Sequence, residues 1–411
     1  MRNASGELKG AAALAPARPV RQNGRMTGQR LTSGEMLRRL VGYDTTSRES
    51  NLELIEFVQD YLDGWGVASE LVHDVTRKKA NLYATLGPPD RGGIMLSGHT
   101  DVVPVDGQRW DSDPFELDEH DGKFYGRGSA DMKGFIAAVL TKLPEFLDQP
   151  LATPLHLALT YDEEVGCLGV RTLVAALKNR PIKPELCIIG EPTLMQPVIA
   201  HKGSRRLRCH VHGHEAHSSL THRGVNAIET AAELVAHLRR VALQRRGEGP
   251  FDAAFDPPYT TVQTGTIAGG TAVNIVPRDC QFDFEMRYLP SDDPDAIVGG
   301  LQRYAQSLLP EMRAVSAESG IEFEETNAVP ALAAAEGDAV VQLALALSGA
   351  NATGKVSFAT EGGLFAESGI PTVICGPGSI EQAHKPNEFL ALDQLRLCEA
   401  FLDRLIKRIR R

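Results

Sequence analysis

The chain has 411 residues, 42% of them hydrophobic and 23% charged, an ordinary globular composition that excludes global disorder. At roughly 100–200 residues per domain, that length predicts two or three domains. Its 43 basic and 53 acidic side chains leave a net charge of −10, which argues against nucleic acid and anionic membranes as partners and leaves carboxylates gathered around cations as the live question.

Residues 1–25 carry Arg2, Arg18, Arg21 and Arg25 against Glu7 alone, with no apolar periodicity, and Gly10–Pro16 is too short and interrupted for a signal-peptide core; they read as a disordered extension. A first helix starts after Thr32, where Thr32-x-x-Glu35 has the form of a capping box and Met36, Leu37, Leu40 and Val41 share one face. A second runs from Leu52 to Leu62 and is stopped by Gly64 and Gly66. Short apolar strands come next at Ile94–Ser97, Leu155–Thr160, Leu186–Ile189 and Thr372–Cys375, with helices at Lys133–Leu147 and Gly169–Leu177. This alternation predicts an α/β domain with a mainly parallel central sheet flanked by helices. The strands are far shorter than the ~18 apolar residues that span a bilayer.

Between 204 and 314 the pattern changes. Leu207, Cys209 and Val211 alternate with Arg208, His210 and His212, and Phe282, Phe284 and Met286 alternate likewise, as in strands with one solvated face. Helices are predicted from Asn226 to Leu243 and from Pro294 to Leu309, with a further strand at Thr260–Thr266. The reading is an inserted α+β two-layer sandwich, 204–314, that interrupts a first domain made of 26–203 and 315–411. The six cysteines, Cys167, Cys187, Cys209, Cys280, Cys375 and Cys398, form no C-x-x-C pair and read as buried reduced thiols, which suits a cytoplasmic chain.

Polar segments come directly after three of the strands: Gly98-His99-Thr100-Asp101, Tyr161-Asp162-Glu163-Glu164 and Gly190-Glu191-Pro192-Thr193. Ligands of open α/β sheets bind outside the carboxyl ends of the strands, so these segments should share one crevice. Asp131 at the start of a helix and His384 beyond the Thr372–Cys375 strand have the same character. Singly, each is more often a solvated loop or a hydrogen-bonded turn. Jointly they form a set of imidazoles and carboxylates, the ligand type of zinc, cobalt or manganese, and five such ligands suffice for two ions that share a carboxylate. Lys133 and Lys385 read as solvated lysines.

The segments SGHTDVVPVDGQRW (97–110), YGRGSADMKG (125–134), TYDEEVGCLG (160–169), IGEPT (189–193), HEAHSS (214–219), NIVPRD (274–279) and AHKPNEF (383–389) together resemble the dinuclear zinc amidohydrolase and peptidase family that includes carboxypeptidase G and succinyl-diaminopimelate desuccinylase. The likeness runs in order from about Gly28 to the C-terminus. It implies two divalent ions, zinc first and cobalt as the alternative. His99 and Glu191 would hold one ion, Glu164 and His384 the other, and Asp131 would bridge them. Asp101 would orient the His99 ring through its second nitrogen, and Glu163 would be the general base. His217 would reach a partner subunit's site and donate to the developing oxyanion, which implies a homodimer built through the inserted domain. Arg287 would bind a substrate carboxylate with help from Asn274, and the Gly362-Gly363 turn would let the backbone at Gly363 approach the substrate. The implied activity is hydrolysis of an N-acyl amino acid, with N2-acetyl-L-ornithine expected. Succinyl-diaminopimelate, another acyl amino acid and a dipeptide are the rival substrates, and a non-catalytic metal-binding relative is the more distant reading.

Overall fold

The computed structural model describes residues 28–410, so the expected N-terminal extension lies outside the described residues. They divide into two compact units. The first runs up to Ile199 and resumes over Ala334–Gly354 and Thr360–Arg411; the second is Ala200–Ala333 with Lys355–Ala359.

The first unit is built on a sheet with the order Ser69–His73, Ala80–Leu86, Leu155–Thr160, Ile94–His99, Leu186–Pro192, Thr372–Gly376. Its four central strands are mutually parallel, while the two on the Ser69 side pair antiparallel. Every residue of Ile94–His99 and Leu155–Thr160 is buried, which is why these strands read as mostly apolar runs without a solvated face. Among the helices of this unit are Ser33–Val41, Leu52–Gly64, Gly134–Thr141, Val170–Lys178, Ala339–Ser348 and Leu392–Ile409. The capping box forms: the Thr32 hydroxyl accepts the Glu35 amide at 3.2 Å, and the Glu35 carboxylate accepts the Thr32 amide at 2.8 Å.

The helix expected over Lys133–Leu147 is three pieces: an irregular turn at Ser129–Lys133, the helix Gly134–Thr141 and a last turn at Leu143–Leu147. Pro144 has no amide to continue the ladder, so it sits in the first turn of the last piece. At the other break Gly134 is required, because a Cβ there would lie 2.5 Å from both Leu390 Cδ2 and the Ser129 carbonyl. Among the described residues, no helix is long and apolar enough to cross a membrane.

The second unit has an antiparallel sheet with the order Thr261–Gly269, Asp279–Tyr288, Gly203–His212, Gly320–Val329. Leu207, Cys209, Val211, Phe282, Phe284 and Met286 form one face and pack with Leu234 and Leu238 of the helix Ala227–Glu248 and Leu301 and Leu309 of the helix Pro294–Val315. Asn226 caps the first helix through the amides of Ile228 and Glu229, and Asp293 caps the second through those of Asp295 and Ala296. The unit reaches Ala333 rather than the expected 314, because Gly320–Val329 supplies the fourth strand. That strand is half-exposed and rich in glutamate, so it carries little apolar signal. All six cysteines are free and buried.

Candidate metal centre

In the first unit the parallel strands deliver their polar ends to one place. His99 is the last residue of Ile94–His99, Glu191 lies near the end of Leu186–Pro192, and Glu163 and Glu164 occupy the turn after Leu155–Thr160. Asp131 enters from the irregular turn at Ser129–Lys133, and His384 from the loop after Thr372–Gly376. Two ligand triads result, His99–Asp131–Glu191 and Asp131–Glu164–His384, each with its donor atoms within 4.8 Å of one another. Asp131 belongs to both. His99 Nε2 lies 3.0 Å from Asp131 Oδ1 and 3.9 Å from Glu191 Oε1; His384 Nε2 lies 3.0 Å from Glu164 Oε2 and 3.4 Å from Asp131 Oδ2.

The hydrogen bonding shows that cations fit here. His99 Nδ1 faces the backbone carbonyl of Asp101 at 2.9 Å, an oxygen that can only accept, so Nδ1 carries a proton. In a neutral ring, Nε2 then presents a lone pair to the Asp131 carboxylate, and only a proton or a metal ion between them reconciles two acceptors. The titration shifts have the same origin. Burial pushes the Glu163 and Glu191 carboxyls well up, and neighbouring carboxylates add to it. Burial and the Asp131 charge push Glu164 up to about 7. Burial opposes the charge on His99, but Asp131 and Glu191 outweigh it and hold the ring's pKa well above its ordinary value. His384, hydrogen-bonded to Asp131 and Glu164, is raised to about 10. Burial also works against the Asp131 charge, yet the two imidazoles prevail and its carboxyl is lowered. Buried carboxylates with imidazole nitrogens and no thiolate are a donor set for hard to borderline divalent ions.

Two readings of the sequence need correction. The Asp101 carboxylate does not make the expected close bond to His99: it lies 3.6 Å from Nδ1, whose partner is the Asp101 main-chain carbonyl. The carboxylate instead accepts the amides of Glu163 at 3.1 Å and Glu164 at 3.3 Å and the Ser47 hydroxyl at 2.7 Å, so it pins the turn that carries both glutamates. Lys133 is fully buried rather than solvated, with Nζ donating to the Tyr43 carbonyl at 2.9 Å and its pKa lowered by burial to about 7. Lys385 is exposed, as expected.

Sequence reasoning also missed residues beneath the centre. Glu388 is fully buried and accepts the amides of Gly128, Ala130 and Asp131 and the Arg127 guanidinium, the last at 2.7 Å. It lay inside the AHKPNEF segment, four residues after His384, and that proximity was the available signal. Glu361 is also buried, and its carboxyl is raised by burial to about 7. The neighbouring Gly363 is buried within a short helix, Gly362–Glu367, rather than forming the expected turn.

In the second unit, His217 and Asn274 come together through the ladder that pairs Ala216–His217 with Ile275–Val276, and the Asn274 carbonyl accepts the Ser218 amide at 3.0 Å. His217 is exposed and its Nδ1 accepts the Ser219 amide at 3.1 Å, which leaves the ring proton on Nε2. Arg287 lies on the open face of the sheet, with Nη2 at 2.8 Å from Glu285.

The sequence matches peptidase family M20/M25/M40 over residues 95–408. It is 37% identical over 359 residues to the acetylornithine deacetylase of Pasteurella multocida, covering 87% of this chain and 91% of that protein. To the acetylornithine deacetylase of Myxococcus xanthus it is 36% identical over 375 residues, 90% of this chain and 95% of that one. Among solved structures, the M20 family metallo-carboxypeptidase Sso-CP2 of Sulfolobus solfataricus is similar with a TM-score of 0.71 and 18% identity, over 92% of this chain and 99% of that chain. Aminopeptidase PepT of Bacillus cereus is similar with a TM-score of 0.69 and 21% identity, over 93% of this chain and all (100%) of that chain. At such identities these two structures speak to the fold alone.

Proposed function

The chain belongs to peptidase family M20/M25/M40 and is a metallo-hydrolase, and on that premise we propose that it hydrolyses N2-acetyl-L-ornithine to acetate and L-ornithine, a step of arginine biosynthesis. The observation that carries the chemistry is Asp131 shared between two ligand triads, with the half-buried Glu163 next in sequence to the Glu164 ligand. The relatives named acetylornithine deacetylase, similar over most of their length, support the substrate.

His99, Asp131 and Glu191 would hold one divalent ion, and Asp131, Glu164 and His384 the other, with zinc first and cobalt as the alternative. Bound there, the ions supply Lewis acidity toward the acetyl carbonyl and make water acidic enough to attack near neutral pH. Glu163 takes the proton released as the water oxygen bonds to the carbonyl carbon, then delivers it to the nitrogen as the amide C–N bond breaks. The half-buried carboxyl of Glu163, its pKa raised by desolvation, is suited to both transfers. His217, with its proton on Nε2, donates to the developing oxyanion from a partner subunit. Arg287 binds the α-carboxylate through its planar fork, assisted by Asn274. Gly363 lies beside the bound substrate. The working molecule is a cytoplasmic homodimer joined through the second unit.

The test is kcat/KM measured side by side on acetylornithine, acetylmethionine, succinyl-diaminopimelate and a dipeptide. Acetylornithine leads if the reading is right. Preference for another substrate replaces the substrate and keeps the chemistry, and no turnover of any leaves a metal-binding protein.

A further inference from the structure

The two ligand triads are anchored in different ways. His99 and Glu191 sit within strands of the parallel sheet, where the ladder holds their backbone. His384 sits in a loop with φ +64, a left-handed conformation unfavourable to a residue with a side chain, and its side chain is 51% exposed. Asn387, three residues on, is left-handed too, with φ +56. Something outside this loop must hold it.

Gln108 does so with both ends of its amide. Its Oε1 accepts Arg127 Nη2 at 2.6 Å and Trp110 Nε1 at 3.1 Å, two groups that can only donate. The amide orientation is therefore determined, and Nε2 must face the His384 carbonyl, to which it donates at 3.0 Å. Asp111 fastens the same loop, its amide bonded to Asn387 Oδ1 at 2.9 Å and its carboxylate to Asn387 Nδ2 at 2.7 Å. Behind Gln108, Arg127 pairs with Glu388, which accepts the Asp131 amide at 3.1 Å. A continuous run of hydrogen bonds thus joins the backbone of Asp131 to that of His384 through Glu388, Arg127 and Gln108. The His99 ring instead bonds the Asp101 carbonyl and the Asp131 carboxylate, outside that run.

We propose that Gln108 is the positioning residue of the Asp131–Glu164–His384 position, setting how tightly that ion is held without touching ion or substrate. The inference rests on the two-ion reading above and concerns which residue governs one ion.

The experiment loads the full-length protein with zinc and monitors its release into a chromogenic chelator for wild type, Gln108→Ala and Gln108→Glu. The glutamate variant keeps the size and an acceptor for Arg127 and Trp110 but turns a second carboxylate oxygen toward the His384 carbonyl, so the bond becomes a repulsion while the packing around it stays, and the alanine variant shows the loss without the added charge. In both variants one equivalent of zinc is expected to leave about 10–100-fold faster while the other stays within about twofold of wild type. Unchanged release of both equivalents overturns the proposal. So does equal acceleration of both, the result of general loosening. A wild type that holds and releases a single equivalent removes the two-ion reading itself and this inference with it. Two wild-type equivalents that ignore Gln108 remove only the inference.

Discussion

The parallel sheet of the first unit and the antiparallel sheet of the second handle charge in opposite ways. In the first, strands buried on both faces have no room for charge along their length, and carboxylates and imidazoles collect at the strand ends. There His99, Asp131 and Glu191 are buried together, and the proton affinities of His99 and Glu191 move far from ordinary values. In the second, one face is apolar, and the other pairs its charges across neighbouring strands: Arg208 with Asp283 at 2.8 and 3.0 Å and Arg206 with Glu285 at 3.3 Å. Solvent screens these pairs, while low dielectric magnifies every interaction at the centre of the first unit. The same residue types are reactive in one sheet and almost inert in the other, and burial makes the difference.

The sharpest break of this contrast is Glu163→Gln, which removes the proton carrier and leaves the ligands in place. Turnover should fall by about 10²–10⁴ with zinc content unchanged, and activity within tenfold of wild type would remove Glu163 from the mechanism. Next in size is Glu388→Gln, which leaves the buried Arg127 guanidinium without its counter-charge and should cost about 3–5 kcal/mol in urea unfolding of the metal-free protein.

Acid separates buried from exposed imidazoles in both units. Burial lowers the pKa of His156, in the first, and His201, in the second, from 6.5 to about 4. The folded protein therefore binds fewer protons than the unfolded chain at these groups, so their neutral form favours folding above pH 6.5 and that stability drains away as pH falls toward 4. Between about pH 7.5 and pH 5, His156→Gln should lose about 2 kcal/mol less than wild type, and equal losses would show that His156 is solvated. The smallest effect belongs to the open face of the second sheet: Asp283→Asn should change unfolding free energy by less than about 1 kcal/mol, with even that reduced by salt. A cost matching that of Glu388→Gln would erase the comparison.

Much of this was legible in the amino-acid order. Strands buried on both faces are mostly apolar, so Leu155–Thr160 was readable to its ends despite His156, and the polar residues at or just past such runs marked His99, Glu163, Glu164 and Glu191. The capping box at Thr32 needs only residues three apart, and it formed as read. The half-exposed strand Gly320–Val329 was invisible because its apolar residues are too few to set a period, and the unit boundary shifted with it.

The sequence alone determined which residue types stand at the strand ends, because local periodicity and chain direction decide where a strand stops and which side chains come next. Only the tertiary structure decided what those residues face. It turned the Asp101 carboxylate to amides more than 60 positions away, 62 and 63 along the chain, buried Lys133 against the Tyr43 carbonyl, and joined Gln108 to a carbonyl 276 residues on. Those pairings depend on which segments packing brings together, and no local pattern encodes them.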